Sequence, residues 1–147
     1  MYTTLSQASR RHMNHLHFSS IVYQIHCGLI HLHDHHIYHR DLKPANIAIN
    51  QNFQLKLIDF GLSKQYSSLN MTPYIVTRYY RAPEVIIGIG YDQKVDNWSV
   101  GCILAELLLG FILMKGKNPI DQWRAIVHLV GVPSERFMSN LVPEMRE

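Results

Sequence analysis

Within the eight residues His39-Arg40-Asp41-Leu42-Lys43-Pro44-Ala45-Asn46 the chain sets a carboxylate, an ammonium group and a carboxamide close together. Asp59-Phe60-Gly61 follows, with Asp59 thirteen positions after Asn46, and Ala82-Pro83-Glu84 comes later. A carboxylate such as Asp41 can orient a hydroxyl and accept its proton. Lys43, two residues on, offers a compact positive charge. Asn46 and Asp59 carry hard oxygens of the kind that hold Mg2+ against phosphates, and Gly61 gives the backbone freedom to aim Asp59 inward. These residue types suit phosphoryl transfer to a hydroxyl. One such triplet arises by chance in many chains, whereas the three in this order are a far more specific pattern.

The octet fits the catalytic-loop pattern of protein kinases at every fixed position, and with the two later triplets the chain resembles that family's carboxyl-terminal lobe. The resemblance implies ATP as co-substrate and Mg2+ as cofactor. It makes Asp41 the base, places Lys43 at the transferring phosphate and makes Asn46 and Asp59 the metal ligands. Lys43, Asn46, Asp59 and Ala48, at the adenine floor, form the ATP site. Asn70-Met71-Thr72-Pro73-Tyr74-Ile75-Val76-Thr77-Arg78-Tyr79-Tyr80-Arg81 narrows the likeness to mitogen-activated protein kinases, and Thr72-Pro73-Tyr74 looks like the c-Jun N-terminal kinase branch. The likeness runs from Tyr23-Gln24 through Val95-Asp96-Asn97-Trp98 to Ile120-Asp121-Gln122-Trp123.

That branch implies a Ser/Thr kinase acting on Ser/Thr-Pro sites of protein substrates. An upstream dual-specificity kinase would phosphorylate Thr72 and Tyr74, with Arg40 meeting the first phosphate and Arg78 and Arg81 the second. Thr77 would join Asp41 and Lys43 in the catalytic set. Asp96 would anchor the catalytic-loop backbone, His39 and Phe60 would belong to a hydrophobic stack, and Gly61 and Glu84 would complete the structural set. A scaffold or phosphatase would be a further partner, and stress signalling in the cytoplasm and nucleus the setting.

These residues need elements to hold them. Phe18, Ile21, Ile25, Leu29 and Leu32 recur at three- and four-residue spacing, which predicts a helix from Phe18 to about His33. Leu5 to Met13 has weaker helical potential. Ile37 to Tyr38, Ile47 to Ile49 and Leu55 to Ile58 read as short strands, and Gly61 to Tyr80 as a loop. Helical character returns after Pro83. Asp96 to Leu109 reads as a central helix, apolar almost all round, and Ile120 to Val130 as an amphipathic one stopped by Gly131 and Pro133. Trp98 is expected in the core, with Trp123 left open. The fold class is mainly α with small β elements.

Aligned to the family, Met1 falls just beyond the hinge and the chain stops near helix G. The expectation for 1–147 is therefore a partial kinase domain, a truncated carboxyl-terminal lobe without the amino-terminal sheet, its Gly-rich loop or its strand lysine. Glu84 would lack its usual arginine. Ala48 stands where a bulkier aliphatic is usual, and Lys64 where an arginine helps grip phosphothreonine. A non-catalytic binding or decoy module, or an incomplete gene fragment, is the alternative reading.

Composition narrows the rest. A net charge of +3 with scattered basic residues gives no reason to expect nucleic acid. The apolar run from Val100 to Met114 is broken by Gly101, Glu106 and Gly110 and falls short of a bilayer span, so no membrane is expected. Cys27 and Cys102 read as reduced thiols. Ten histidines include a crowd at His31, His33, His35 and His36, where a solvated helix end is favoured over a metal site.

Overall fold

The computed structural model describes residues 1–8, 13–65 and 77–139. Strand β1, Tyr2–Thr4, leads into a single helical turn, α1, Leu5–Ala8. The strand went unread because two threonines and a tyrosine show no burial pattern of their own; a distant partner makes it a strand. The predicted helix from Leu5 is thus only a turn, and positions 9–12 lie outside the described residues.

α2, His15–Asp34, begins before Phe18 because Asn14 caps it. The Asn14 side chain accepts from the His17 N–H, and His17 Nδ1 accepts from the Asn14 N–H, both at 3.1 Å. Such reciprocal caps usually carry Glu or Gln at the second site, so a histidine there hides the start from sequence reading. Ile21, Ile25 and Leu29 are buried along the predicted face.

β2 (Ile37–Tyr38), β3 (Ile47–Asn50), β4 (Leu55–Leu57) and β5 (Lys64–Gln65) follow. β3 lies between β1 and β4 in an antiparallel sheet with Thr4, Ala48 and Lys56 in register, while β2 pairs with β5. Ile47 and Ile49 are 0% and 2% exposed, so their face is the core side and Ala48 points to the opposite face. Gln24 staples the β3–β4 turn to α2, its Nε2 donating to Phe53 O at 2.8 Å and its Oε1 accepting from Leu55 N at 2.9 Å.

The loop predicted over 61–80 contains β5 and a 3-10 turn at Arg78–Tyr80. Beyond it lie α3 (Pro83–Ile86), α4 (Lys94–Leu109), α5 (Pro119–Val130) and α6 (Glu135–Met138). α4 buries Val95, Asp96, Ser99, Val100 and Ile103, and Ser99 Oγ donates to Tyr80 O at 2.7 Å, tying the 3-10 turn down. Asn118 caps α5 by accepting from Asp121 N at 2.8 Å, and Gly131 ends it as predicted. Gly116 admits no side chain, since a Cβ would stand 2.2 Å from Gln122 N. Trp98 packs against the core as expected but is only half-buried, whereas Trp123, left open by the sequence, is 4% exposed. Among the described residues no helix is long and apolar enough to cross a membrane.

Candidate active site

One buried carboxylate organises the site. Asp96, 0% exposed in the first turn of α4, accepts the His39 N–H at 3.0 Å on Oδ2 and the Arg40 N–H at 2.8 Å on Oδ1. His33 from α2 adds Nε2 at 2.8 Å from Oδ2. Three donors from two separate segments thus meet one side chain, which satisfies a carboxylate that burial would otherwise penalise. Arg40 is held with φ +67°, a left-handed conformation that a non-glycine residue keeps only when its surroundings impose it.

The reactive groups follow directly. Lys43 Nζ stands 2.7 Å from Asp41 Oδ2, and Asn46 Nδ2 donates to the same oxygen at 2.8 Å and to Asp41 O at 2.9 Å. Lys43 precedes a 3-10 turn, Pro44–Asn46, which swings Asn46 back toward Asp41. Both side-chain contacts fall on Oδ2. Asn46 uses only its nitrogen in these bonds, so its amide oxygen is the donor left for a cation.

Asp59 is brought alongside by the Ile58 N–H, which donates to Asn46 O at 3.0 Å. Two oxygen donors completed by substrate phosphates fit the sparse protein coordination that Mg2+ accepts. Among the described residues no group of three His, Cys, Asp or Glu is assembled that could hold a metal. The backbone freedom expected of Gly61 is found two positions earlier: Asp59 itself has φ +64°. Gly61 instead allows close approach, since its N–H donates to Asp59 Oδ1 at 3.3 Å and a Cβ would lie 3.2 Å from that oxygen.

His39 links the two segments. Its Nε2 lies 3.3 Å from Ile58 O, so that nitrogen carries the proton, and its ring sits 5.1 Å from the Phe60 ring. Phe60 is 47% exposed, so the expected stack is open on its outer side. Burial pushes the His39 imidazole below the usual histidine value, against the opposing pull of the Asp96 charge. His39 Nδ1 is buried with no hydrogen-bond partner among the described residues.

Catalytic-loop geometry of this kind, on a mainly helical lobe, agrees with the comparison of the whole sequence: the protein kinase domain family matches residues 2–145. The chain belongs to the protein kinase family. It is 48% identical, over 99% of its length, to the stress-activated protein kinase JNK of Drosophila melanogaster, and it spans 40% of the length of that relative.

Other residues singled out on kinase resemblance are placed less tightly. Arg81 is half-buried and close enough to Arg78, Arg40 and Asp41 to feel their charges; burial lowers its pKa most, Asp41 opposes this, and the two arginines add to it. Arg78 Nη1 donates to Lys117 O beside α5. Thr77 is exposed and makes no hydrogen bond to Asp41 or Lys43, so the expected catalytic trio is not assembled. The chain instead leaves Thr77 to enter the 3-10 turn. Glu84 is half-buried. Thr72 and Tyr74 lie outside the described residues, as does the Lys64 side chain. Sequence reading missed His33, whose part was hidden because its helical spacing pointed to no partner, and Tyr91, whose ring lies 5.6 Å from the Arg40 guanidinium carbon.

Proposed function

We propose that the chain carries the phosphoryl-transfer residues of a proline-directed Ser/Thr protein kinase of the mitogen-activated family. The carrying observation is the convergence of Lys43 and Asn46 on Asp41 Oδ2, which fixes the carboxylate through one of its two oxygens. Asp41 orients a Ser or Thr hydroxyl of a protein substrate and takes its proton as the oxygen attacks. Lys43 supplies positive charge at the transferring phosphoryl group. Asn46 and Asp59 would hold Mg2+, which when bound offsets the charge on the ATP phosphates, and Ala48 would lie under the adenine.

In this proposal an upstream kinase phosphorylates Thr72 and Tyr74, Arg40, Arg78 and Arg81 receive the phosphates, and the protein works in stress signalling in cytoplasm and nucleus. Calorimetry of the purified chain with Mg-ATP tests it. Binding that disappears in Asp59→Ala supports the proposal, and no binding at millimolar ATP overturns it for this chain.

A second reading, a non-catalytic binding module, is favoured by one observation. Ile58 and Phe60 expose apolar surface on either side of Asp59. Phosphorylation of Thr72 and Tyr74 without transfer to any Ser/Thr-Pro substrate would select this reading.

A further inference from the structure

The Arg40 side chain leaves the catalytic loop from a backbone that has little freedom. Its N–H is held on Asp96 Oδ1 at 2.8 Å, its φ is +67°, and the preceding His39 N–H is held on the other Asp96 oxygen at 3.0 Å. From this fixed base the guanidinium lies over the Tyr91 ring, 5.6 Å from its centroid. Tyr91 is half-buried in the segment between α3 and α4, four residues before the buried Val95. The electron-rich face of an aromatic ring attracts a guanidinium directly, and partial removal from water strengthens the attraction.

Arg40 also faces like charges. Arg78 and Arg81 lie near enough for the charges of Arg40 and Arg78 to act on Arg81, and Arg78 is tethered to Lys117 O. Repulsion of this kind favours any arrangement that draws one guanidinium aside onto a ring face. A phosphate dianion offers the same three cations a stronger partner, through charge-assisted hydrogen bonds.

We propose that Tyr91 is the resting seat of the Arg40 guanidinium, and that a phosphate monoester arriving at the arginine cluster must draw Arg40 off that ring. The inference rests on the reading of Arg40 as a phosphate-binding residue. Tyr91 thereby sets how strongly the cluster responds to phosphate: the binding-competent position of Arg40 is only part of its population, so apparent affinity is lowered by that fraction. The ring discriminates between two states of one side chain and needs no movement of the backbone.

The test is a titration of the full chain with inorganic phosphate, followed through the arginine side-chain N–H resonances. Tyr91→Leu should bind phosphate about two- to fivefold more tightly, the factor corresponding to one partly exposed cation–π contact. Tyr91→Phe, which keeps the ring, should match the parent chain. Equal or weaker binding by Tyr91→Leu overturns the inference. A second readout needs no folded variant: in the parent chain the Arg40 Nε–H resonance should lose its ring-current shift as phosphate saturates, and a shift that persists at saturation also overturns the inference. If Arg40→Ala binds phosphate as well as the parent, the phosphate-binding reading itself falls and the inference with it, whereas the first two failures overturn the role of Tyr91 alone.

Discussion

The catalytic loop and the Asp59–Gly61 segment are joined by a hydrogen bond from Ile58 to Asn46, yet they are held in opposite ways. In the loop, His39 is 0%, Leu42 1% and Asn46 5% exposed, and two successive N–H groups end on a carboxylate buried in a helix. In the other segment Ile58 is 37% and Phe60 47% exposed, and Asp59 keeps a left-handed backbone with one 3.3 Å contact to Gly61 N. The half of the site that carries Asp41, Lys43 and Asn46 is preset by burial, while the half that carries Asp59 is set by local geometry. Buried hydrogen bonds resist opening because an orphaned partner finds no water, and exposed ones exchange readily.

Asp96→Ala should break this contrast most severely. It orphans the buried His39 N–H, the part-buried Arg40 N–H and the His33 contact, and should lower unfolding free energy by about 3–5 kcal/mol in denaturant titrations. A loss below about 1 kcal/mol would show that the loop is not anchored there.

The pH dependence of stability sharpens the same half. His39 has a folded pKa below its unfolded value because burial disfavours the charged ring. Its contribution is therefore fully present above about pH 6.5, the unfolded value, and declines as pH falls toward the folded pKa. Denaturant titrations between neutral and mildly acidic pH should show stability falling on acidification, and part of that slope should be missing in His39→Phe. An identical slope in the variant would contradict the assignment.

On the open side the effects should be smaller. Phe60→Ala removes a half-exposed ring packed at a tilt against His39, and a loss of about 1–2 kcal/mol is expected in the same titrations, well under the cost for a fully buried phenylalanine. Asp59→Gly relieves a left-handed aspartate and should leave stability unchanged or raise it by up to about 1 kcal/mol, while abolishing Mg-ATP binding in calorimetry. A marked destabilisation by Asp59→Gly would mean that this segment is anchored like the loop.

Much of the site was legible because its chemistry is local in sequence. Asp41, Lys43 and Asn46 fall within six positions, and a 3-10 turn suffices to close them on one another. The main helices were legible for a similar reason: Ile21, Ile25 and Leu29 recur at the helical period whatever they touch. Gly61 shows where this stops. Residue type alone pointed to the glycine as the flexible point, but the positive φ lies at Asp59, a type that tolerates it better than most yet less freely than glycine.

By itself, then, the sequence determined the main helices, the faces of α2 and α5, the kinase family and the residue types of the His39–Asn46 loop. Each is a short-range pattern of residue type and period. The tertiary structure decided the rest: that His33 reaches Asp96 across 63 positions, that β1 is a strand because β3 lies beside it, and that Arg40 rests on Tyr91. Periodicity records that a face is buried and carries no record of its partner; only the folded packing brings distant residues within hydrogen-bond or ring-contact distance.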